Sequence, residues 1–217
     1  MTITYKDAQG IAGMRIAGVE TGVQFAERMH AHVASGFGPI AVASQLAPLL
    51  PAAGLERGYI YGCTGDAATS LLFGLVAAAT TAGSWFAMVN MPTAGLMSAY
   101  EHGVALHRTL CVTGDNTSSV MSPVVGALVD GVDLVAVSSP VCSQSEARRI
   151  ATRVKAQGAV LFVLGKPGGF SLDASFSART VDWQFDTHAR SRTVEVSASG
   201  RRVYAHRSCT VQLPSVS

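Results

Sequence analysis

The feature that most constrains this chain is a regular alternation of short apolar runs and helical patterns between residues 55 and 165. The runs are Tyr59–Tyr61, Ser84–Asn90, Thr109–Thr113, Asp133–Ser138 and Ala159–Leu164, and the helical patterns cover Ala67–Ala82, Ala94–His102, Ser118–Val129 and Gln144–Gln157. Runs such as S-W-F-A-M-V-N and A-V-L-F-V-L place apolar residues at consecutive positions, so both faces of those strands need cover. Gly83, Gly103, Gly131 and Gly158 follow the helical patterns, where a residue tolerant of positive φ ends a helix. Strands alternating with helices in this way predict an α/β fold: a parallel sheet, right-handed crossovers and helices on both faces.

The flanks read differently. Residues 1–54 predict an arm up to residue 20, a helix over Thr21–Val33 stopped by S-G-F-G-P, and a second helix over Ala41–Leu50 closed by Pro51. After Gly165-Lys166-Pro167-Gly168-Gly169, the stretches Phe170–Ala178, Thr193–Ala198 and Arg202–Leu213 alternate apolar and polar residues. That pattern predicts antiparallel strands at one sheet edge. The 217 residues thus suit one domain in three parts, 1–54, 55–165 and 166–217. With 48% hydrophobic and 14% charged residues the chain is built to bury a core, and a formal charge of +2 is too small to imply nucleic-acid binding by itself. Cys63, Cys111, Cys142 and Cys209 are widely spaced without a C-x-x-C pair, which favours reduced thiols, a cytoplasmic setting and no zinc site. No apolar h-region opens the chain, so no signal peptide is expected. The most apolar run, Leu71–Ala79, is well short of the roughly 18 residues of a membrane span.

Within the alternation, Y-I-Y-G-C-T-G-D-A-A-T-S (Tyr59–Ser70) has the strand–loop–helix layout of a P-loop, G-x-x-x-x-G-K-[ST]. Gly62 falls on the first glycine and Thr69 on the terminal Ser/Thr. Ala67 stands where the second glycine belongs, and Ala68 replaces the lysine whose contact to phosphate is worth about 1.5–3 kcal/mol. Gly65 and Asp66 occupy the loop between. A carboxylate at Asp66 would repel a triphosphate and is placed to cap the helix at Ala67, accepting from the N–H of Ala68 or Thr69. An ordinary strand–helix turn without nucleotide history is the alternative reading.

From Leu55 to Val89 the sequence L-E-R-G-Y-I-Y-G-C-T-G-D-A-A-T-S-L-L-F-G-L-V-A-A-A-T-T-A-G-S-W-F-A-M-V resembles the RecA-type ATPase core. The likeness continues through G-V-A-L-H-R-T-L-C-V (Gly103–Val112) and G-V-D-L-V-A-V-S-S-P (Gly131–Pro140), the latter looking like a Walker B strand. It covers about residues 40–165. Within that group Ala68–Leu75, Ala82–Trp85 and Glu146–Leu164 are similar to actinobacterial mutasome accessory proteins of the ImuA-prime type. This resemblance implies a RecA-like fold and a non-enzymatic helper of SOS-induced translesion DNA synthesis. It implies as partners an ImuB-like Y-family polymerase homologue and, indirectly, an error-prone C-family polymerase, with contact to RecA or DNA left open. Set on the RecA pattern, Ser138 stands where Walker B needs the aspartate that holds Mg²⁺. The stretch Asn90–Thr93, where the water-activating glutamate belongs, has no carboxylate and contains Pro92. Three missing parts predict no ATP hydrolysis, no bound cofactor and no catalytic residue. The alternatives are a RecA-group ATP-binding protein and a DNA-binding accessory factor.

Other chemistry-bearing residues are weaker. His102 and His107 lack a third ligand at fitting spacing and read as surface or helix-end residues. Ser138 to Gln144 (S-S-P-V-C-S-Q) lies at a strand end but shows no G-x-S-x-G elbow or paired histidine. Ser143 with Glu146 three residues on reads as a capping box. In the C-terminal part Trp183, Arg190, Arg192, Arg201, Arg202, Tyr204 and Arg207 interleave arginine with aromatics. That mixture suits a solvated edge with its aromatics packed on the sheet, a protein interface or single-stranded nucleic acid; between the last two the small net charge favours a protein partner.

Overall fold

A computed structural model of the chain describes residues 2–4, 38–187, 189–201 and 206–214. The expected helix over Thr21–Val33, most of the arm, and Arg202 and Tyr204 lie outside the described residues. The strands are β1 (Thr2–Thr4), β2 (Ile40–Ala41), β3 (Gly54–Leu55), β4 (Ile60–Thr64), β5 (Phe86–Val89), β6 (Thr109–Thr113), β7 (Leu134–Ser138), β8 (Val160–Leu164), β9 (Ala174–Phe185), β10 (Ala189–Ser199) and β11 (Arg207–Leu213). The helices are α1 (Ala68–Thr81), α2 (Leu96–Glu101), α3 (Ser118–Gly131) and α4 (Gln144–Gln157). Nine strands form one sheet in the order β1-β6-β5-β7-β8-β4-β9-β10-β11, and β2 and β3 form a small antiparallel pair beside it. All neighbours from β1 to β9 run parallel; β10 is antiparallel to both β9 and β11. This is the RecA-like α/β architecture with a C-terminal antiparallel edge.

The period of two along each strand sorts the core into two layers. Tyr61, Cys63, Phe86, Met88, Leu134, Ala136, Phe162 and Leu164 join α1 on one face of the sheet. Ile60, Ala87, Val89, Val135, Val137, Leu161 and Val163 meet Met121, Val125 and Val129 of α3 and Ala147, Ile150 and Val154 of α4 on the other. Burying each such large side chain contributes about 1.5–3 kcal/mol. Tyr61 is packed between Phe162 and Phe176, with ring centroids 5.7 and 5.5 Å away, and its hydroxyl accepts from the Glu56 N–H at 2.9 Å.

α1, α2 and α4 are followed by the expected glycines at positive φ, Gly83, Gly103 and Gly158, whereas Gly131 is the last residue of α3 itself and Val132 follows in an extended conformation. Ser143 and Glu146 form the capping box of α4, and Gly158 closes that helix at φ +67°. α4 buries Ala147, Ile150 and Val154 and turns Arg148, Arg149, Arg153 and Lys155 to solvent. α1 ends in a Schellman turn: Ser84 N–H reaches Ala79 O at 3.0 Å and Gly83 N–H reaches Thr80 O at 3.1 Å, with Gly83 at φ +105°. α1 is buried along most of its length because a second layer lies outside it, with Leu46 and Leu213 packed over Gly74. No helix among the described residues is long and apolar enough to cross a membrane.

The expected helix over Ala41–Leu50 does not form. Strand β2 ends at Ala41, and only a short 3₁₀ turn, Ala47–Leu49, follows. Pro48 lies inside that stretch, lacking an N–H and clashing with the preceding turn, so a continuous α-helix through it is disfavoured. The third part of the chain is continuous with the sheet. β9 pairs with β4 in the sheet interior, and Phe176, Val194, Val196 and Val211 are buried in the main core.

Candidate functional site: a closed P-loop

The loop between β4 and α1 is exposed from Thr64 to Asp66 and buried at Ala67 and Ala68. Gly65 adopts φ +98°, and its Cα faces the β9 backbone: an added Cβ would land on the Ala178 carbonyl oxygen. The Ala67 N–H donates to that same oxygen at 3.2 Å. The loop is therefore folded onto β9, and a donor that would face phosphate in a working P-loop is committed to protein.

Asp66 is not the cap of α1. Ala67 holds the N-cap position, and no side chain caps the helix. The Asp66 carboxylate instead accepts the Thr180 N–H, at 3.1 and 3.3 Å to its two oxygens. β4 stops at Thr64, opposite Ser177, so the Thr180 amide has no ladder partner, and the carboxylate supplies one. Hydrogen bonds from the Thr180 side chain and backbone, with the Arg192 charge nearby, hold the Asp66 carboxyl below the usual carboxylate range. Arg192 reaches across from β10. It donates to Ser70 Oγ at 2.5 Å, to Thr180 Oγ1 at 3.2 Å and to the Asp66 carbonyl at 3.4 Å, and its guanidinium lies over the Trp183 ring, 5.1 Å from the centroid. A cation thus stands near the start of α1, tied to serine, threonine and backbone. Sequence order alone cannot pair residue 66 with 180, or 70 with 192.

The other RecA-pattern positions lie at the C-terminal ends of their strands. Asn90 follows β5 at φ +49°; its Oδ1 accepts the Gly114 N–H at 2.9 Å and its Nδ2 lies 3.1 Å from Met121 Sδ. It pins the β5 end to the segment after β6. Ser138 ends β7, and Ser139 after it adopts φ +41°. Pro92 is exposed. Of the seryl and thiol candidates nearby, Ser143 Oγ is engaged with the Glu146 backbone and carboxylate. His102 is buried against Phe73; its Nδ1 contacts Ser98 O at 2.7 Å, its Nε2 has no partner, and burial lowers its pKa. His107 is exposed in a separate 3₁₀ turn. Among the described residues no group of three His, Cys, Asp or Glu is placed to hold a metal ion. A cavity of about 280 Å³ opens at Tyr59, Lys155 and Ser171, and one of about 170 Å³ at Met88, Met91 and Cys111; neither is lined by the loop residues 62–70.

The C-terminal arginines are spread out, and each one described has a partner within the chain. Arg179 pairs with Glu195 at 2.5 Å and Arg190 with Asp186 at 2.9 Å, both pairs exposed. Arg201 donates to Ser171 Oγ. Arg207 donates to the carbonyls of Pro48 and Leu50 at 3.1 and 3.4 Å, tying β11 to the layer over α1. The structure gathers Trp183 and Arg192 at the P-loop, sets Arg190 near the tip of the β9–β10 hairpin, and leaves Arg201 and Arg207 toward the opposite end of β10.

Comparison with known proteins adds the family. A mycobacterial relative, the uncharacterized protein Rv3395c of Mycobacterium tuberculosis, is 35% identical over 98 residues, which are 44% of this chain and 47% of that protein. The chain spans about half the length of this curated relative. The model of the MT3502 N-terminal domain matches residues 48–168, which hold β3 to β8 and the loop from β4 to α1. The chain belongs to the MT3502 N-terminal domain family.

Proposed function

We propose that this chain is a non-catalytic scaffold of the ImuA-prime type in an SOS-induced mutagenic synthesis machinery, and that it docks an ImuB-like polymerase homologue. The observation that carries the non-catalytic part is the closed loop. Gly65 and Ala67 lie on the Ala178 carbonyl, Asp66 is bonded to Thr180, and the lysine position is Ala68. The mutasome part rests on the resemblance of Ala68–Leu75, Ala82–Trp85 and Glu146–Leu164; the mycobacterial relative agrees with the actinobacterial part of that resemblance alone.

Calorimetric titration with Mg-ATP tests the first part. No binding is expected, and Ala68→Lys alone should not create it, because the loop backbone remains engaged with β9. Tight binding by the unmodified chain would replace the scaffold reading with that of a RecA-group ATP-binding protein. Co-purification of the whole chain with an ImuB-like protein tests the second part, and failure to associate would sink it. Side-chain substitutions suit this test better than deletion of residues 166–217, which would strip β4 of a neighbouring strand. Direct DNA binding would show as retention of an oligothymidylate that falls steeply with salt and with Arg201→Ala plus Arg202→Ala.

A further inference from the structure

β9 is twelve residues long, yet its parallel pairing with β4 covers only Ala174–Ser177. The next positions on that side are met by the loop: Ala67 N–H takes the Ala178 carbonyl, and the Asp66 carboxylate takes the Thr180 N–H. Beyond them the register with β10 slips at Val181, a bulge, and β9 continues through Asp182–Phe185 with β10 as its partner on one side. Among the described residues no strand pairs with this tip on the other side. The tip also carries apolar side chains that the fold leaves uncovered: Val181, Trp183 and Phe185 are 54%, 45% and 71% exposed. Trp183 and Phe185 lie 6.1 Å apart, and the bonds of Arg192 to Ser70 and Thr180 hold its guanidinium against the Trp183 ring.

We infer that the β9 tip, Asp182–Phe185, is a docking edge for an extended segment of another protein, which adds to it as a strand. An unpaired edge offers main-chain donors and acceptors that only another extended backbone matches in series. Trp and Arg at its centre are the residue types that anchor protein interfaces. The charges argue against nucleic acid. Arg179, Arg190 and Arg192 are matched by Glu195, Asp186 and Asp66, and Asp182, an exposed acid on the edge itself, has no ion-pair partner among the described residues. The incoming segment is therefore apolar at alternate positions, to cover Trp183 and Phe185, and carries a basic residue for Asp182. The inference rests on the scaffold reading only for the identity of the protein that supplies the segment.

The test uses the whole chain and two variants. Trp183→Ser with Phe185→Ser removes the apolar anchors, and Gln184→Pro disrupts the edge backbone. Circular dichroism melts matching the wild type establish that a variant is folded, and Trp183→Ser alone replaces any variant that is not. A random dodecapeptide library is selected on the wild type, and the enriched peptides are measured against the variants. Peptides with apolar alternation and a basic residue, losing at least about tenfold in affinity on the anchor variant, are the expected result. No enrichment, or peptides indifferent to the substitutions, would overturn the docking edge. An ImuB-like protein that binds wild type and folded variants equally overturns the edge and leaves the scaffold reading standing. Edge-binding peptides without any association with the ImuB-like protein leave the edge standing and remove that partner. Oligothymidylate binding lost on the same variants would assign the tip to nucleic acid instead, and concentration-dependent dimers lost on them would assign it to a second copy.

Discussion

Replacing Gly65 by alanine tests whether the loop is sealed against β9. Gly65 sits at φ +98°, where an L-residue with a Cβ is strained by about 1–2 kcal/mol. The new Cβ would overlap the Ala178 carbonyl oxygen and lie 2.9 Å from its carbon and 3.1 Å from the Ala178 nitrogen. These are backbone atoms of a buried strand, so no side chain can swing away. Relief requires the loop or β9 to withdraw, with an overpacking cost of about 1–3 kcal/mol. Withdrawal breaks the Ala67–Ala178 hydrogen bond, worth about 0.5–1.5 kcal/mol. Gly65→Ala should therefore lose about 3–6 kcal/mol. For a chain of this size that is a fall in Tm of about 6–24 °C. Urea and thermal melts followed by circular dichroism measure it, and amide exchange at Thr180 should accelerate because the Asp66 contact moves with the loop. Gly65→Asn separates the two causes. Asparagine tolerates positive φ, so it recovers stability if the backbone angle alone is limiting and stays as damaging as alanine if the overlap dominates. A Gly65→Ala protein within about 1 kcal/mol of wild type would refute the sealed loop and reopen the case for a nucleotide there.

Other predictions follow from single residues. The Asp66 carboxyl is held low by Thr180 and Arg192, so its contribution is present above about pH 4, the range of an unfolded carboxyl, and is lost as pH falls through the depressed folded value. The stability gap between wild type and Asp66→Asn, from denaturant melts, should shrink on acidification below that point. His102 is buried with a lowered pKa, so protonation favours unfolding: its cost is absent above about pH 6.5 and grows as pH falls from there toward the folded value. Melts of His102→Leu between neutral and mildly acid pH should show a flatter dependence than wild type. Cys63 is fully buried and burial pushes its thiol up to about 12, so iodoacetamide at pH 8 should label it only after denaturation, as mass spectrometry of digested protein would report. Phe162→Ala empties a site stacked against Tyr61 at the sheet centre and should cost about 3–5 kcal/mol in urea melts.

The central alternation was legible because its signals are local. The apolar run at Val160–Leu164, too short for a helix between Gly158 and Gly165, reads as a strand buried on both faces, and Ser143 with Glu146 marks the start of α4 to the residue. The expected helix at Ala41–Leu50 does not form because of one local feature, Pro48 inside an apolar stretch. The site was harder to read, because its partners are remote in sequence. A carboxylate just before a helix looks like a cap, and nothing near Asp66 in the chain reveals that Thr180 will present an unpaired amide to it. In the same way Arg192 and Arg207 look like free surface cations until the sheet brings Ser70 to one and the carbonyls of Pro48 and Leu50 to the other. The missing P-loop lysine was visible from sequence; what fills the loop was decided by a strand that follows the core.

The place of β4 in the sheet has a consequence for how the protein is made. On a ribosome Tyr61 is synthesised long before Phe162 and Ala174, the residues that flank it on β8 and β9. Until both arrive, the strand that ends in the P-loop has two bare edges, the condition that exposes nascent chains to misassembly. Loop closure over so long a separation slows the final step. Asp66 and Ala67 can close on Ala178 and Thr180 only after β9 has docked, so the loop cannot be sealed until the chain beyond the core has been made.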